Sequence, residues 1–187
     1  MTQTPGGIAV IAPFVMADRA QDLIDFIVHV FGARDVPEAR TMDADGLILH
    51  SELIIGDSML TVADRKPHWP FTPAFLRVYV DDADAVLARA EERGGRIVTR
   101  PTDFFGDVFS RFQDPWGNLW WVYVHHPQDA DQEWSAEGAH PSGDEGEGEG
   151  EGEGEGDWTS YTTPELEYIN STLMQAMDGL RDPRDAR

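Results

Sequence analysis

The 187-residue chain contains no cysteine, which excludes a disulfide framework, a thiolate zinc site and a thiol nucleophile. Bases are scarce: 14 Lys and Arg stand against 35 Asp and Glu, a formal net charge of −21. With no basic stripe to displace phosphate counterions, nucleic acid is not an expected partner. No apolar run approaches the ~20 residues that span a bilayer, so no membrane partner is expected. The N-terminus MTQTPGGIAVIAPFVMADRA lacks a basic leader segment. No signal peptide is read there, and a cytoplasmic protein is the expectation.

The acidity is unevenly placed. From Asp129 to Asp157 there are twelve acids and no Lys or Arg, whereas residues 1–128 carry 18 acids and 11 bases, a net of −7. Composition divides the chain into a patterned domain at 7–127, an acidic linker at 128–157 and a tail at 158–187. The linker ends in GDEGEGEGEGEGEGD. That repeat has no apolar surface to offset ordering entropy and its like charges repel, so a disordered spacer is expected. In the tail, Thr163-Pro164-Glu165 reads as a helix start, with a hydroxyl cap, a first-turn proline and an acid at the positive dipole end. Leu166, Ile169, Leu173, Met177 and Leu180 then recur as one apolar stripe. A lone helix of about 16 residues is marginal in water. It is therefore expected to dock on the main domain, a dimer mate or another protein.

The patterned region contains a repeat. IAVIAPFVMAD and the helical RAQDLIDFIVHVFGA precede the extended RDVPEARTM, LILHSELIIGD and SMLTVAD. AFLRVYVDD and the helical ADAVLARAEERGG precede RIVTRP, DVFSRFQD and NLWWVYVHH. Asp18 and Asp82 occupy matching junctions as expected N-caps, and Gly32 and Gly94-Gly95 sit where left-handed C-caps are expected. Each copy is a βαβββ module, at about 7–64 and 73–127.

This plan resembles the vicinal oxygen chelate superfamily, which includes glyoxalase I, extradiol dioxygenases and the fosfomycin- and bleomycin-resistance proteins. DPWGNLWWV resembles its second-module signature, Asp-Pro-x-Gly-x-x-x followed by a ligand position. LHSELIIGDSMLTVAD, FFGDVFSRFQDPWGNLW and the terminal VHH most resemble the PhnB-like branch. The resemblance implies an α+β fold in which two tandem βαβββ modules form a curled mixed sheet around a cleft, commonly completed in a homodimer. It implies too that, in metal-using members, four His, Glu or Gln side chains on the first and fourth strands converge on a divalent ion. Placed by spacing from the junction aspartates and from Gly56 and Gly117, those positions here are Ile11, Leu60, Phe75 and Trp121. All four are apolar, and shifting by one residue does not supply the set. No metal or other cofactor is expected there, and the cleft floor is expected to be hydrophobic.

Side chains alternate along a strand. Ile11, Pro13 and Val15 are expected to share the cleft face, as are Phe75, Arg77 and Tyr79, and Leu119, Trp121 and Tyr123. Phe14 and Met16, with Leu76, Val78, Trp120 and Val122, are expected under the helices. His50 and Glu52, two apart, share a face and are candidate catalytic residues, as a general acid/base pair or as two ligands of a divalent metal away from the usual position. RPTDFFGDVFSRF reads as a loop followed by a strand, with Phe105 closing over a ligand and Asp107 and Arg111 supplying polar contacts. The expected activity is binding of a small aromatic or cationic molecule in a metal-free cleft. The alternatives are a lyase, isomerase or dioxygenase built on His50 and Glu52, and a protein-binding role for the C-terminal helix.

Overall fold

A computed structural model of the chain describes residues 11–126 and 163–186. The first module comprises β1 (Phe14–Ala17), α1 (Ala20–Phe31), β2 (Arg34–Met42), β3 (Ile48–Ile55) and β4 (Ser58–Asp64). The second comprises β5 (Phe75–Tyr79), α2 (Ala83–Glu92), β6 (Arg96–Phe104), β7 (Asp107–Gln113) and β8 (Leu119–Val124). A C-terminal helix, α3 (Pro164–Asp178), and a 3-10 turn (Pro183–Ala186) follow. The expected Gly-Glu linker lies outside the described residues.

The fold is α+β. Its two four-stranded mixed sheets have orders β1-β4-β3-β2 and β5-β8-β7-β6. In each, the first strand pairs parallel with the last and the other pairs are antiparallel. That pairing requires the crossover helix within each module. The sheets are not closed into a barrel.

The helix ends obey local chemistry, with one exception. Gly32 ends α1 in the left-handed region, and Asp82 caps α2 by accepting from the Ala85 N–H at 2.9 Å. Asp18 does not cap α1. Arg19 intervenes in the left-handed conformation (φ 60), and Asp64 at the end of β4 accepts from the Ala20 N–H at 2.8 Å instead. The other oxygen of Asp64 accepts from the Ile48 N–H, so one carboxylate ties α1, β3 and β4 together.

The core lies between the helices and the sheet faces they cover. Leu23, Ile27 and Val30 of α1 meet Val15, Leu53, Leu60 and Val62, and Val86 and Ala90 of α2 join the same cluster. Phe31 packs on Trp120 with centroids 4.8 Å apart, and Trp120 stacks on Phe112 at 6.0 Å. Trp120 is thus in the core, on the α2 side, as the alternation predicts. On β1 the expectation is inverted: Val15 is buried under α1, whereas Phe14 and Met16 are exposed on the other face. The segment around Phe105 also differs from the expected loop. It is a two-residue turn between β6 and β7, with φ 54 at Phe105 and 89 at Gly106, the mirror-image geometry that suits a twisted hairpin.

α3 starts at Thr163, whose hydroxyl accepts from the Leu166 N–H, with Pro164 at the first position. It docks on its own chain, across the second sheet. Ile169 and Ala176 are its buried residues, while Met177 of the expected stripe is 40% exposed. Beyond it, Arg65, almost wholly buried, makes two 2.7 Å bonds to Asp182. Arg184 donates to the Arg65 and Lys66 carbonyls and to Asp18. These bonds pin the end of the tail to the first module.

Candidate functional site

Each sheet has one face under its helix and one facing away, here called the outer face. In the first module the two-residue turn Gly56-Asp57 pairs Ile55 with Ser58 and therefore Leu53 with Leu60 and Glu52 with Thr61. Leu53 and Leu60 point into the core. Glu52, Thr61 and, across β4, Phe14 share the outer face. His50 is on that face too, its Nε2 3.2 Å from Oε1 of Glu52. Both side chains of the pair remain partly exposed (37% and 25%), so a small molecule can reach them.

Of the two first-module residues assigned by spacing, neither lies on this face. Leu60 is 4% exposed within the core and Ile11 is 84% exposed ahead of β1. Phe14, Met16 and Thr61 hold the outer-face positions instead.

In the second module the outer face is built from one register row. Arg77 of β5 pairs with Trp121 of β8, Trp121 with Arg111 of β7, and Arg111 with Thr99 of β6. Residues in one row project to the same side. Phe75 meets Trp121 edge-on at 5.8 Å, Tyr79 lies 5.4 Å from Tyr123, and the Arg77 guanidinium sits 4.9 Å from the Tyr123 centroid. Phe75 and Tyr79 are more than half exposed along the free edge of β5. The sequence-predicted set Phe75, Arg77, Tyr79, Arg111, Trp121 and Tyr123 is thus one continuous surface.

Half of that surface is covered. Ile169 of α3 packs with Phe109, Tyr123 and Trp121, and Ala176 with Val98, Leu119 and Trp121. The Thr172 hydroxyl lies 2.8 Å from that of Thr99, and the Tyr168 hydroxyl accepts from the Arg100 N–H. Arg111 is 3% exposed beneath the helix. It donates to the Ile169 carbonyl at 2.9 Å and to Thr99 at 3.2 Å, and it lies over the Phe109 and Trp121 rings at 4.6 and 5.2 Å. Its Nε has no partner among the described residues, and no carboxylate pairs with it. Burial pulls its pKa down to about 10, so at neutral pH it remains a cation held by rings and neutral oxygens. Ring contacts of this kind are worth ~1–2 kcal/mol when desolvated, whereas burying an unpaired charge costs several kcal/mol.

The turn before β8 is organised by Asp114. Its carboxylate accepts from the Trp116 and Asn118 backbone N–H groups, the Asn118 amide and the Trp120 indole. Burial pushes its pKa up to about 6, against the pull of those four donors. Gly117 has φ 88, and a Cβ there would lie 2.7 Å from the Phe71 ring, so only glycine fits. Trp116 packs edge-on against Phe26 and donates to the Asp18 carbonyl. The turn that aims Trp121 outward also fastens the second module to the first.

A cavity of about 250 Å³ lies between the β3–β4 turn and β5, lined by Pro13, Leu60, Leu76, Arg77, Tyr79 and Trp120 among others. It brings Leu60 together with Arg77 and Tyr79. Phe105, 80% exposed, meets Phe104 edge-on at the turn tip, and Asp107 is engaged by His125 at 2.8 Å. Neither residue reaches the Arg77 row by any hydrogen bond or ring contact of its own.

The family model for the Glyoxalase/Bleomycin resistance protein/Dioxygenase superfamily matches residues 7–122. The chain belongs to that superfamily. No curated protein sequence matches it. Among solved structures, TioX from Micromonospora sp. ML1 is 23% identical, with a TM-score of 0.50 over 64% of this chain and 98% of its own. The PhnB protein from Bacillus cereus, a putative 3-demethylubiquinone-9 3-methyltransferase, is 17% identical, with a TM-score of 0.50 over 63% and 100%. The fosfomycin resistance protein FosX from Listeria monocytogenes is 10% identical, with a TM-score of 0.51 over 64% and 94%. At these identities the likeness is one of fold.

The donor set does not fit the superfamily's metal. The outer-face residues on the first and fourth strands are Phe14, Met16, Met59, Thr61 and Ala63, then Phe75, Arg77, Tyr79, Leu119, Trp121 and Tyr123, with no imidazole or carboxylate among them. His50 and Glu52 supply two donors. Among the described residues no group of three or more His, Cys, Asp or Glu can hold a metal ion. No metal-dependent step is assigned to this site.

Proposed function

We propose that this chain binds a small planar aromatic molecule between the outer faces of its modules, without a metal, as a cytoplasmic homodimer. The observation that carries the reading is the row in which Arg77, Trp121 and Arg111 stand side by side, edged by Phe75 and Tyr79. Rings and guanidinium groups together make a stacking surface. Of the two ligand characters compatible with the sequence, the aromatic one has this support. A cation would meet two arginines in the second module and Glu52 alone in the first.

The dimer is supported by the free edges of β1 and β5. Both strands are short, unpaired on one side among the described residues, and carry the exposed Phe14 and Phe75. Such edges are templates for pairing with another copy. Pairing β1 of one copy with β5 of another would join the two sheets edge to edge. Compartment rests on composition, together with the absence, among the described residues, of a helix long and apolar enough to cross a membrane.

The test is fluorescence titration of the full chain with neutral bicyclic aromatics, paired with sedimentation. The reading predicts micromolar binding that Phe75→Ala weakens about tenfold, and a two-copy particle. No binding by any member of the panel would sink it.

A second reading has its own observation. The 3.2 Å His50–Glu52 contact is an oriented imidazole–carboxylate pair on an accessible face, the geometry of general-base catalysis. It predicts a lyase, isomerase or dioxygenase turnover that is abolished by His50→Ala and retained in Phe75→Ala.

A further inference from the structure

We infer that Arg77, Trp121 and Arg111 form a site for an aromatic molecule carrying one acidic group, a carboxylate or a phosphate, and that α3 is its removable cover. The inference rests on the aromatic-binding reading and adds to it the charge of the ligand and the means of access.

The charge follows from what the two guanidinium groups lack. Neither Arg77 nor Arg111 pairs with a carboxylate among the described residues. Arg19, Arg40, Arg65 and Arg184 each have an acid, and of the described arginines that lack one only Arg111 is buried. Arg111 is the more telling of the pair, because it is buried and its Nε is unpartnered among the described residues. Its best acceptor, the Ile169 carbonyl, is neutral and also takes the Thr172 hydroxyl. A carboxylate or phosphate would offer two charge-assisted bonds to the guanidinium fork in its place. The spacing suits such a ligand. Neighbouring strands lie roughly 4.8 Å apart, so the arginines flank Trp121 at about 10 Å from each other. A ring stacked on the indole carries its acidic group within reach of either one.

The cover follows from how α3 is held. The side chains it turns toward the sheet are Tyr168, Ile169, Thr172, Leu173 and Ala176, and no acid of α3 reaches Arg111 among the described residues. Its C-terminal end is anchored independently, through Asp182 on Arg65 and Arg184 on Asp18. The helix can therefore leave the row while the tail stays attached. α3 also lies beyond residue 122, where the superfamily match ends. It is an element added to the common fold at the ligand face.

The test is calorimetric titration of the full chain with 2-naphthoate, 2-naphthyl phosphate and the neutral 2-naphthamide, repeated on Arg111→Met and Ile169→Asn. The wild-type chain should bind at least one acid tenfold or more tighter than the amide, and the tighter acid identifies carboxylate or phosphate as the matching group. Arg111→Met should remove that preference. Ile169→Asn, which loosens the cover and leaves Arg111 in place, should tighten acid binding threefold or more by releasing the competent state. Saturating acid should also speed hydrogen exchange of residues 166–178. Equal binding of acids and amide overturns the anionic site while the aromatic reading stands. Tight acid binding with unchanged exchange in α3 overturns the cover. Failure of all three probes, with Ile169→Asn included, overturns both. If Arg111→Met does not fold, the acid-to-amide ratio and Ile169→Asn decide.

Discussion

In the first module the outer face carries Phe14, His50, Glu52 and Thr61; Thr61 is buried, and the acid and imidazole are in contact and partly exposed. In the second, the corresponding face carries Phe109, Arg111, Trp121 and Tyr123 and lies under α3. One chain plan thus supports two surfaces of different polarity. The difference shows what the tail is for. A sheet face with three large rings would leave an apolar patch in water, and a helix of the chain itself covers it, although the cover buries the Arg111 cation. The polar pair on the first module satisfies itself and needs no cover.

The largest expected effect concerns the turns that set the two faces. Asp114→Ala removes the acceptor for four donors in a buried turn and should destabilise the chain by about 4 kcal/mol in urea unfolding. Ile169→Asp puts a charge among Phe109, Tyr123 and Trp121. A loss of about 3 kcal/mol is expected, with α3 amides exchanging freely and the α1 amides still protected. If α1 and α3 open together, the modules are one cooperative unit and the comparison fails. Asp182→Ala strands the buried Arg65 and should cost about 2 kcal/mol, discounted because the tail can release it to water. Asp57→Ala is the counterpart of the first change at the first module's turn. Among the described residues its carboxylate is bonded only to the adjacent Ser58 hydroxyl, at an exposed site, so stability should move by less than about 0.5 kcal/mol.

Much of this was legible in the residues. The βαβββ repeat, the Asp82 cap, the Thr163 start of α3 and the opposite facing of Trp120 and Trp121 all follow from periodicity and capping chemistry. The shared faces of Phe75, Arg77 and Tyr79 and of Leu119, Trp121 and Tyr123 follow from alternation, whereas the register that sets Arg111 beside Trp121 does not. The first module misled at the count. Spacing from Gly56 put Leu60 on the outer face, yet the two-residue turn Gly56-Asp57 fixes Leu60 opposite Leu53 and away from Glu52. That turn is the signal that would have found Thr61. The left-handed Arg19, which hands the α1 cap to Asp64, has no local signature. Nor does the destination of α3: an apolar stripe states that a helix must dock, and only tertiary packing says that it docks over Arg111.

The most direct test of that packing is the nuclear Overhauser contact between the Ile169 methyl groups and the Phe109 and Tyr123 rings in the full-length, ligand-free chain. Strong cross-peaks, with the α3 amides protected from exchange, are the expected result. Absent cross-peaks, with those amides exchanging at the rate of an unfolded chain, would contradict a covered second face.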